Sequence, residues 1–449
     1  MAAMPVMNWR WQPGVAICLA LCLAVAGHAQ EAAFKKLNAQ AAEFYRQAQY
    51  AEAVRLAQDA LKLAENAFGE TDPQVATALS NLAEYQRAQG NYTEAETLLK
   101  RALAIDQKML GDNHPDVAVD LNNLALLHDT MGRHADAEQL YRQALAIDEK
   151  ALGPNHPGVA TDLNNLAEAC RAQGKLAEAE PLYKRALTIW EKAPDQNARA
   201  IATVLSNLGA LYAARDEPAK AEPLLARALT IWQKQVRADH PSLTATLREL
   251  GSVEMSLGAY GKAETLYAQL LSSTEKSRES RDQQLSKDLS SLGMARYLGG
   301  KYAAAELPME QALALDEKIY GENSLTVAAS LMHLAEVYRV QDKYAQAEPL
   351  YKRALLIDET TLGPKHSVVA TDLRNLAALY SLEGRHADAE PLLKRLLAIQ
   401  EATVGPNSPQ LVPILDSYAA TLRALGRADE AKAMAARAGA LRSPPAKKL

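Results

Sequence analysis

Apolar positions along this 449-residue chain recur with helical spacing, and the whole pattern repeats every 42 residues. The repeat windows begin at Ala33, Val75, Val117, Val159, Ile201, Leu243, Leu285, Val327, Val369 and Leu411. The fifth position is Leu throughout, from Leu37 and Leu79 to Leu373 and Leu415. The ninth is always Ala or Gly, as in Ala41, Gly209, Gly251, Gly293 and Ala419. The twenty-first is always Ala, and the twenty-eighth is Ala except at Leu270 and Leu396. Positions five, eight, nine and twelve share one helical face, and twenty-one, twenty-four, twenty-eight and thirty-one share another. Between these faces the sixteenth position is usually Gly, as in Gly90, Gly132 and Gly174, which ends the first helix. A second turn, such as Gly111-Asp112-Asn113-His114-Pro115, closes each window. The small columns predict close helix contacts that a large side chain would force apart. The expected fold is all-α: a right-handed superhelical solenoid of about ten helix-turn-helix repeats over residues 33–442, with a disordered tail at 443–449.

The order Leu, Leu, small, Gly, Ala, aromatic or Leu, Ala resembles the tetratricopeptide repeat. The 42-residue length and the string Leu121-Asn122-Asn123-Leu124-Ala125 resemble the kinesin light chain subclass, as does Ala179-Glu180-Pro181-Leu182-Tyr183. The resemblance implies binding of proteins or peptides in a groove lined by the first helices. It does not extend to a motor role, because the N-terminus has the layout of an export signal. The pattern weakens in places. Glu191 to Ala200 lacks the usual turn, Ser272 to Gln284 is highly charged, and Asp216 and Asp342 replace the turn Gly. Pro181, Pro223, Pro349 and Pro391 fall early in second helices, where a missing donor is tolerable if the helix starts late.

Composition and charge narrow the function. The formal net charge is −5 with acids and bases interspersed, and no polybasic block favours nucleic acid. Arg10, the apolar run Val15 to Ala26 and the small residues Ala26, Gly27 and Ala29 have the layout of a signal peptide over 1–29. That run is shorter than the roughly 20 residues a membrane span needs, so no stable transmembrane anchor is expected. Cleavage removes Cys18 and Cys22 and places the mature protein in the periplasm or outside the cell. Cys170 falls in a core slot and is read as structural. His114, His156, His240 and His366 recur one window apart and do not converge as metal ligands would. Asp136 and Glu138 are read as solvent-facing. No phosphate loop, nucleophile elbow or zinc-protease string is present, so neither a cofactor nor enzymatic activity is expected.

The candidate site is the groove. The seventh position is Asn in Asn81, Asn123, Asn165, Asn207 and Asn375, and the resemblance implies that these amides grip the backbone of an extended peptide. The thirteenth adds Arg87, Arg171, Arg339 and Arg423, and the tenth adds Glu84, Glu168 and Glu336. In the central windows Met255 and Tyr297 take position thirteen, Met294 takes position ten and Met332 takes position six, which predicts an apolar stripe. The leading reading is an exported scaffold for a protein or peptide partner. Two others are a structural assembly protein that self-associates through its solenoid ends, and a regulatory subunit of a separate envelope enzyme. N-terminal sequencing or intact mass of the purified protein is expected to give a start at Gln30 or Gly27; retention of Met1 contradicts export.

Overall fold

The computed structural model describes the backbone of residues 13–274 and 282–442, with side chains from Gln30 onward. The cleavage region, with Cys18 and Cys22, the tail and most of the charged stretch before Gln284 therefore lie wholly or partly outside the described residues. Among the described residues the regular structure is helical apart from turns, and no strand occurs. No helix among them is long and apolar enough to cross a membrane.

The chain divides into two compact units, residues 1–216 and 217–449. The first contains α1 (Pro13–Arg46), α2 (Tyr50–Phe68), α3 (Pro73–Ala88), α4 (Tyr92–Leu110), α5 (Pro115–Thr130), α6 (His134–Leu152), α7 (Pro157–Ala172), α8 (Leu176–Trp190) and α9 (Pro194–Ala214). The second contains α10 (Pro218–Gln235), α11 (Pro241–Ser256), α12 (Tyr260–Thr274), α13 (Asp282–Leu298), α14 (Tyr302–Tyr320), α15 (Leu325–Arg339), α16 (Tyr344–Leu362), α17 (Ser367–Leu382), α18 (His386–Val404), α19 (Val412–Ala424) and α20 (Ala428–Arg442). Within each unit, helices adjacent in sequence pack against each other, and alternate first helices also touch, as α3 does α5 and α13 does α15.

The small columns sit where the helices meet. All ten alanines at position twenty-one, from Ala53 to Ala431, have 0% exposure. At position nine, Gly is required where the facing side chain comes closest: a Cβ on Gly251 would lie 2.8 Å from Tyr267 Cζ, and one on Gly293 would lie 2.5 Å from Met309 Cγ. Elsewhere Ala at position nine tolerates a Tyr opposite, as Ala167 does Tyr183, both fully buried.

The helix ends follow from the turn residues. At the sixteenth position Gly132 has φ +75°, with its N–H bonded to Asp129 O and the N–H of Arg133 to His128 O. Asp216, Asp342 and Ala48 adopt the same left-handed conformation without being Gly, which Asp tolerates better than Ala. The recurrent histidines are N-caps. Nδ1 of His114, His156, His240 and His366 accepts the N–H two residues on, at 3.1–3.3 Å.

Two expectations change. Glu191 to Ala200, where the pattern weakens, is mostly helix: α9 begins at Pro194, and Asn197 Nδ2 ties its first turn to the carbonyls of Ala193 and Trp190. The second helices also do not start late. α8 begins five residues before Pro181, and α10, α16 and α18 likewise contain Pro223, Pro349 and Pro391. All four prolines are on the exposed side, where water can satisfy the carbonyl a turn earlier.

Gly251→Ala is expected to displace the Tyr267 ring and destabilise the protein by about 1–3 kcal/mol. Thermal melting checks this; an unchanged Tm would show that the Tyr267 ring moves aside without cost.

Candidate functional site

The face formed by positions three, six, seven, ten and thirteen of the first helices is not uniform. In the second unit it opens into two adjoining cavities. The first, about 690 Å³, lies between α15 and α17 and is lined by Leu325, Met332, His333, Glu336, Arg339, Leu362, Val368, Arg374, Asn375 and Ala378, with Asp358 and Asp372 in its wall. The second, about 490 Å³, lies between α17 and α19 on the floor of α18. Arg339, Arg374 and Ala378 line both. Leu325, Val368 and Leu382 are 41%, 40% and 54% exposed along this path, so the walls offer apolar surface to a ligand. Nδ1 of His386, buried and without a hydrogen-bond partner, belongs to a residue of the second cavity.

Three predicted residues, Met332, Arg339 and Asn375, meet in the first cavity. The others are placed differently. Met294 and Tyr297 are half-buried against the core of the second unit; the Tyr297 hydroxyl donates to Glu336 at 3.0 Å, and its ring packs on Tyr302 with centroids 5.6 Å apart. Met255 is half-buried on α11, outside both cavities. The expected stripe is thus mostly wall packing, and only Met332 reaches the opening.

Three of the four arginines are tied down by the glutamates one helical turn before them. Arg87 pairs with Glu84 at 2.7 Å, Arg339 with Glu336, and Arg171 with Glu168. A tyrosine hydroxyl completes each group: Tyr45 to Glu84 (2.5 Å), Tyr183 to Glu168 (2.6 Å) and Tyr351 to Glu336 (2.7 Å). Burial works against the Glu168 carboxylate, yet Arg171 and Tyr183 hold its pKa below the ordinary value. Glu336 is lowered in the same way, with Arg339 and Tyr351 outweighing burial. These guanidiniums are already neutralised, so they shape the face more than they offer charge to a ligand.

The asparagines split into two sets. Asn207 Nδ2 donates to Asn164 Oδ1 at 3.2 Å, and Asn164 Nδ2 donates to Asn165 Oδ1 at 3.4 Å, forming an amide chain between α7 and α9. Asn81, Asn123 and Asn375 are half-buried and make no side-chain hydrogen bond among the described residues. Arg374, exposed at position six, was not among the sequence candidates and also has no ion-pair partner among the described residues. Its signal was present in the sequence: it occupies the same window position as Met332.

Glu138 corrects another expectation. It is 9% exposed, not solvent-facing, and is held by Lys175 (2.6 Å), Arg142 (2.7 Å) and Gln173 (2.9 Å), which lower its pKa to about 2. Potential ligand atoms of Glu138, Cys170 and Glu178 lie within 4.8 Å of one another, but the Lys175 ammonium and the Arg142 guanidinium already occupy Glu138. Cys170 is fully buried, and burial raises its thiol pKa.

A run of consecutive helix-turn-helix pairs defines a repeat scaffold of the kind that supports protein interactions. The tetratricopeptide repeat model matches residues 34–108, 75–150, 131–192, 200–274, 243–318, 326–402 and 373–442. The chain belongs to the tetratricopeptide repeat family, and its 42-residue units are of the kinesin-light-chain-like kind. BtubC of P. vanneervenii is similar at 26% identity, over 55% of this chain and 94% of that one, with a TM-score of 0.43. A P. anserina kinesin light chain protein with nearly identical repeats is similar at 27% identity, over 46% of this chain and 99% of that one, with a TM-score of 0.40. A signal-transduction ATPase with a tetratricopeptide repeat sensor from Pyrococcus horikoshii shares the fold at 17% identity and a TM-score of 0.54, over 84% of this chain and 53% of that one. No curated protein matches the chain.

The two sets of asparagines are separable by mutation. Asn207→Ala is expected to lower stability by about 0.5–1.5 kcal/mol by breaking the amide chain, whereas Asn123→Ala leaves melting unchanged. Equal effects on Tm would show that the hydrogen-bond difference is immaterial.

Proposed function

We propose that this protein is an exported, non-catalytic scaffold whose second unit takes up a segment of a protein partner along α15, α17 and α19. The observation behind this reading is the pair of adjoining cavities that share Arg339, Arg374 and Ala378. Their combined size is that of a site for several side chains. Apolar side chains of the partner fill the spaces beside Met332, Leu325, Val368 and Leu382. The amide of Asn375 can both donate to and accept from a peptide backbone. Arg374 offers an unpaired guanidinium to a carbonyl or carboxylate of the partner, a stronger interaction than a neutral donor gives. Tetratricopeptide repeats as a class support a protein-interaction scaffold. The N-terminal layout of Arg10, an apolar run and small residues supports export.

Affinity capture from envelope extracts, followed by binding measurements with the captured partner, tests this site. Arg374→Ala combined with Leu382→Ser is expected to weaken binding by about 2 kcal/mol or more with little change in Tm. Full affinity in that variant, or a matching loss of Tm, contradicts a groove in the second unit.

A further inference from the structure

The carboxylates at the junctions between successive windows form a pattern the groove does not use. Position thirty-two of one window and position four of the next are both Asp at three junctions: Asp106 with Asp120, Asp148 with Asp162, and Asp358 with Asp372. Each pair joins the end of a second helix to the start of the following first helix: α4 to α5, α6 to α7, and α16 to α17. All six carboxyl groups are 1–7% exposed. Within each pair the two groups are in hydrogen-bond reach of each other.

Two carboxylates cannot donate to each other, and the structure marks the consequence. Asp106 Oδ1, Asp120 Oδ2, Asp148 Oδ1, Asp162 Oδ2 and Asp372 Oδ2 are buried oxygens without a hydrogen-bond partner. Five such orphans in three equivalent places are explained by a proton, which carbon and nitrogen positions do not reveal. Other junctions of the same chain solve the problem without one. Asp316 receives hydroxyl hydrogens from Ser286 and Ser330, both at 2.6 Å. Asp288 receives Arg248 Nε and Nη2 at 2.8 and 2.9 Å. Among the described junctions that bury an aspartate, the donor is missing where two aspartates face each other.

We infer that each of these three junctions is closed by one proton shared between its two aspartates, so that the repeat array is locked at mildly acidic pH and loosened when the protons leave.

The surroundings agree. Asp116 and the capping His114 on α5 act on the first pair, and the Ser80 hydroxyl of α3 donates to Asp120 at 3.0 Å. His156 and Glu149 act on the second, and Asn122 of α5 donates to Asp162 at 2.6 Å. His366 and Glu359 act on the third; Glu359 is itself paired with Arg395 of α18. Around the cavity that includes the third pair stand His333, Glu336 and Arg339 of α15 and Arg374 of α17. No lysine or arginine is bonded to any of the six aspartates among the described residues. Burial, and then the neighbouring carboxylate, raises Asp120 to about 7; burial likewise raises Asp162 to about 7 and pushes Asp372 upward.

The sign follows from proton counting. A carboxyl whose pKa is higher folded than unfolded binds more protons in the folded state. Stability from these pairs is therefore fully present below the unfolded value of about 4 and declines as pH rises through about 7. Buried His128 on α5, whose pKa is lowered by burial, acts in the opposite direction in the acid part of this range. The comparison is therefore between wild type and variant. In the full chain, Tm is expected to fall by roughly 5–10 °C between about pH 5.5 and about pH 8. The Asp120→Asn, Asp162→Asn, Asp372→Asn variant, whose amides donate permanently, is expected to show a nearly flat profile and to melt above wild type at the higher pH. Parallel profiles for the two proteins overturn the inference. If the triple variant does not fold, carboxyl carbon NMR of wild type labelled at aspartate decides: three groups that release a proton near neutrality support the locks, and full ionisation of every aspartate at the acid end overturns them.

Discussion

Everything in this molecule depends on how closely the two helices of a pair can approach. The limit is set by the residues at positions nine and twenty-one, and the ten alanines at position twenty-one have no exposed surface at all. A helix pair held this closely has little apolar side-chain volume between its axes. Most of its core is therefore built at the edges of the contact, from the Leu column and the aromatic or Leu residues at position twenty-five. No single pair could bury enough surface to be stable alone, so each relies on its neighbours. Arg101 to Glu65, Arg185 to Glu149 and Arg353 to Glu317 repeat the same ion pair from one second helix to the one before it, at 2.5–2.8 Å. These pairs are partly exposed and individually weak; their effect is to fix register between repeats.

Close approach also determines which polar groups are trapped. A tyrosine that fits against an alanine column has its hydroxyl inside, and the hydroxyl must find an acceptor. Tyr183 and Tyr351 find one on their own first helix, in the glutamate that also holds an arginine. The groove face is thus prepared from behind: the residues that hold the helices together set the rotamers of those that face outward. What remains unpaired on that face among the described residues is chiefly Arg374 and Asn375, beside the exposed leucines.

Much of this was legible in the sequence, and the reason is periodicity. A window that repeats at constant length exposes every buried column, so the helix pairs, the turn glycines and the structural role of Cys170 could be read directly. The face containing Met332, Arg339 and Asn375 could be read too, because window position fixes which side of a first helix a residue takes. What could not be read was pairing. Nothing in the Arg column says that the guanidiniums of Arg87, Arg171 and Arg339 are spent on the glutamates before them, and nothing in the Asn column separates Asn207, bonded to Asn164, from Asn123. Glu138 was misread because its exposure is decided by Lys175 and Gln173, which come from the next repeat. The aspartate pairs were visible as columns but span a window boundary, where a repeat-by-repeat reading divides them.

Cys170 has a further consequence. It is the only thiol from Gln30 onward, it is fully buried on α7, and burial disfavours its reactive thiolate. A modifying reagent can reach it only when that part of the first unit opens. In an array whose stability is a sum of local contributions, such opening need not involve the rest of the chain. The labelling rate of this one sulfur is therefore a clock for the breathing of a single repeat, readable in the native protein without any introduced probe.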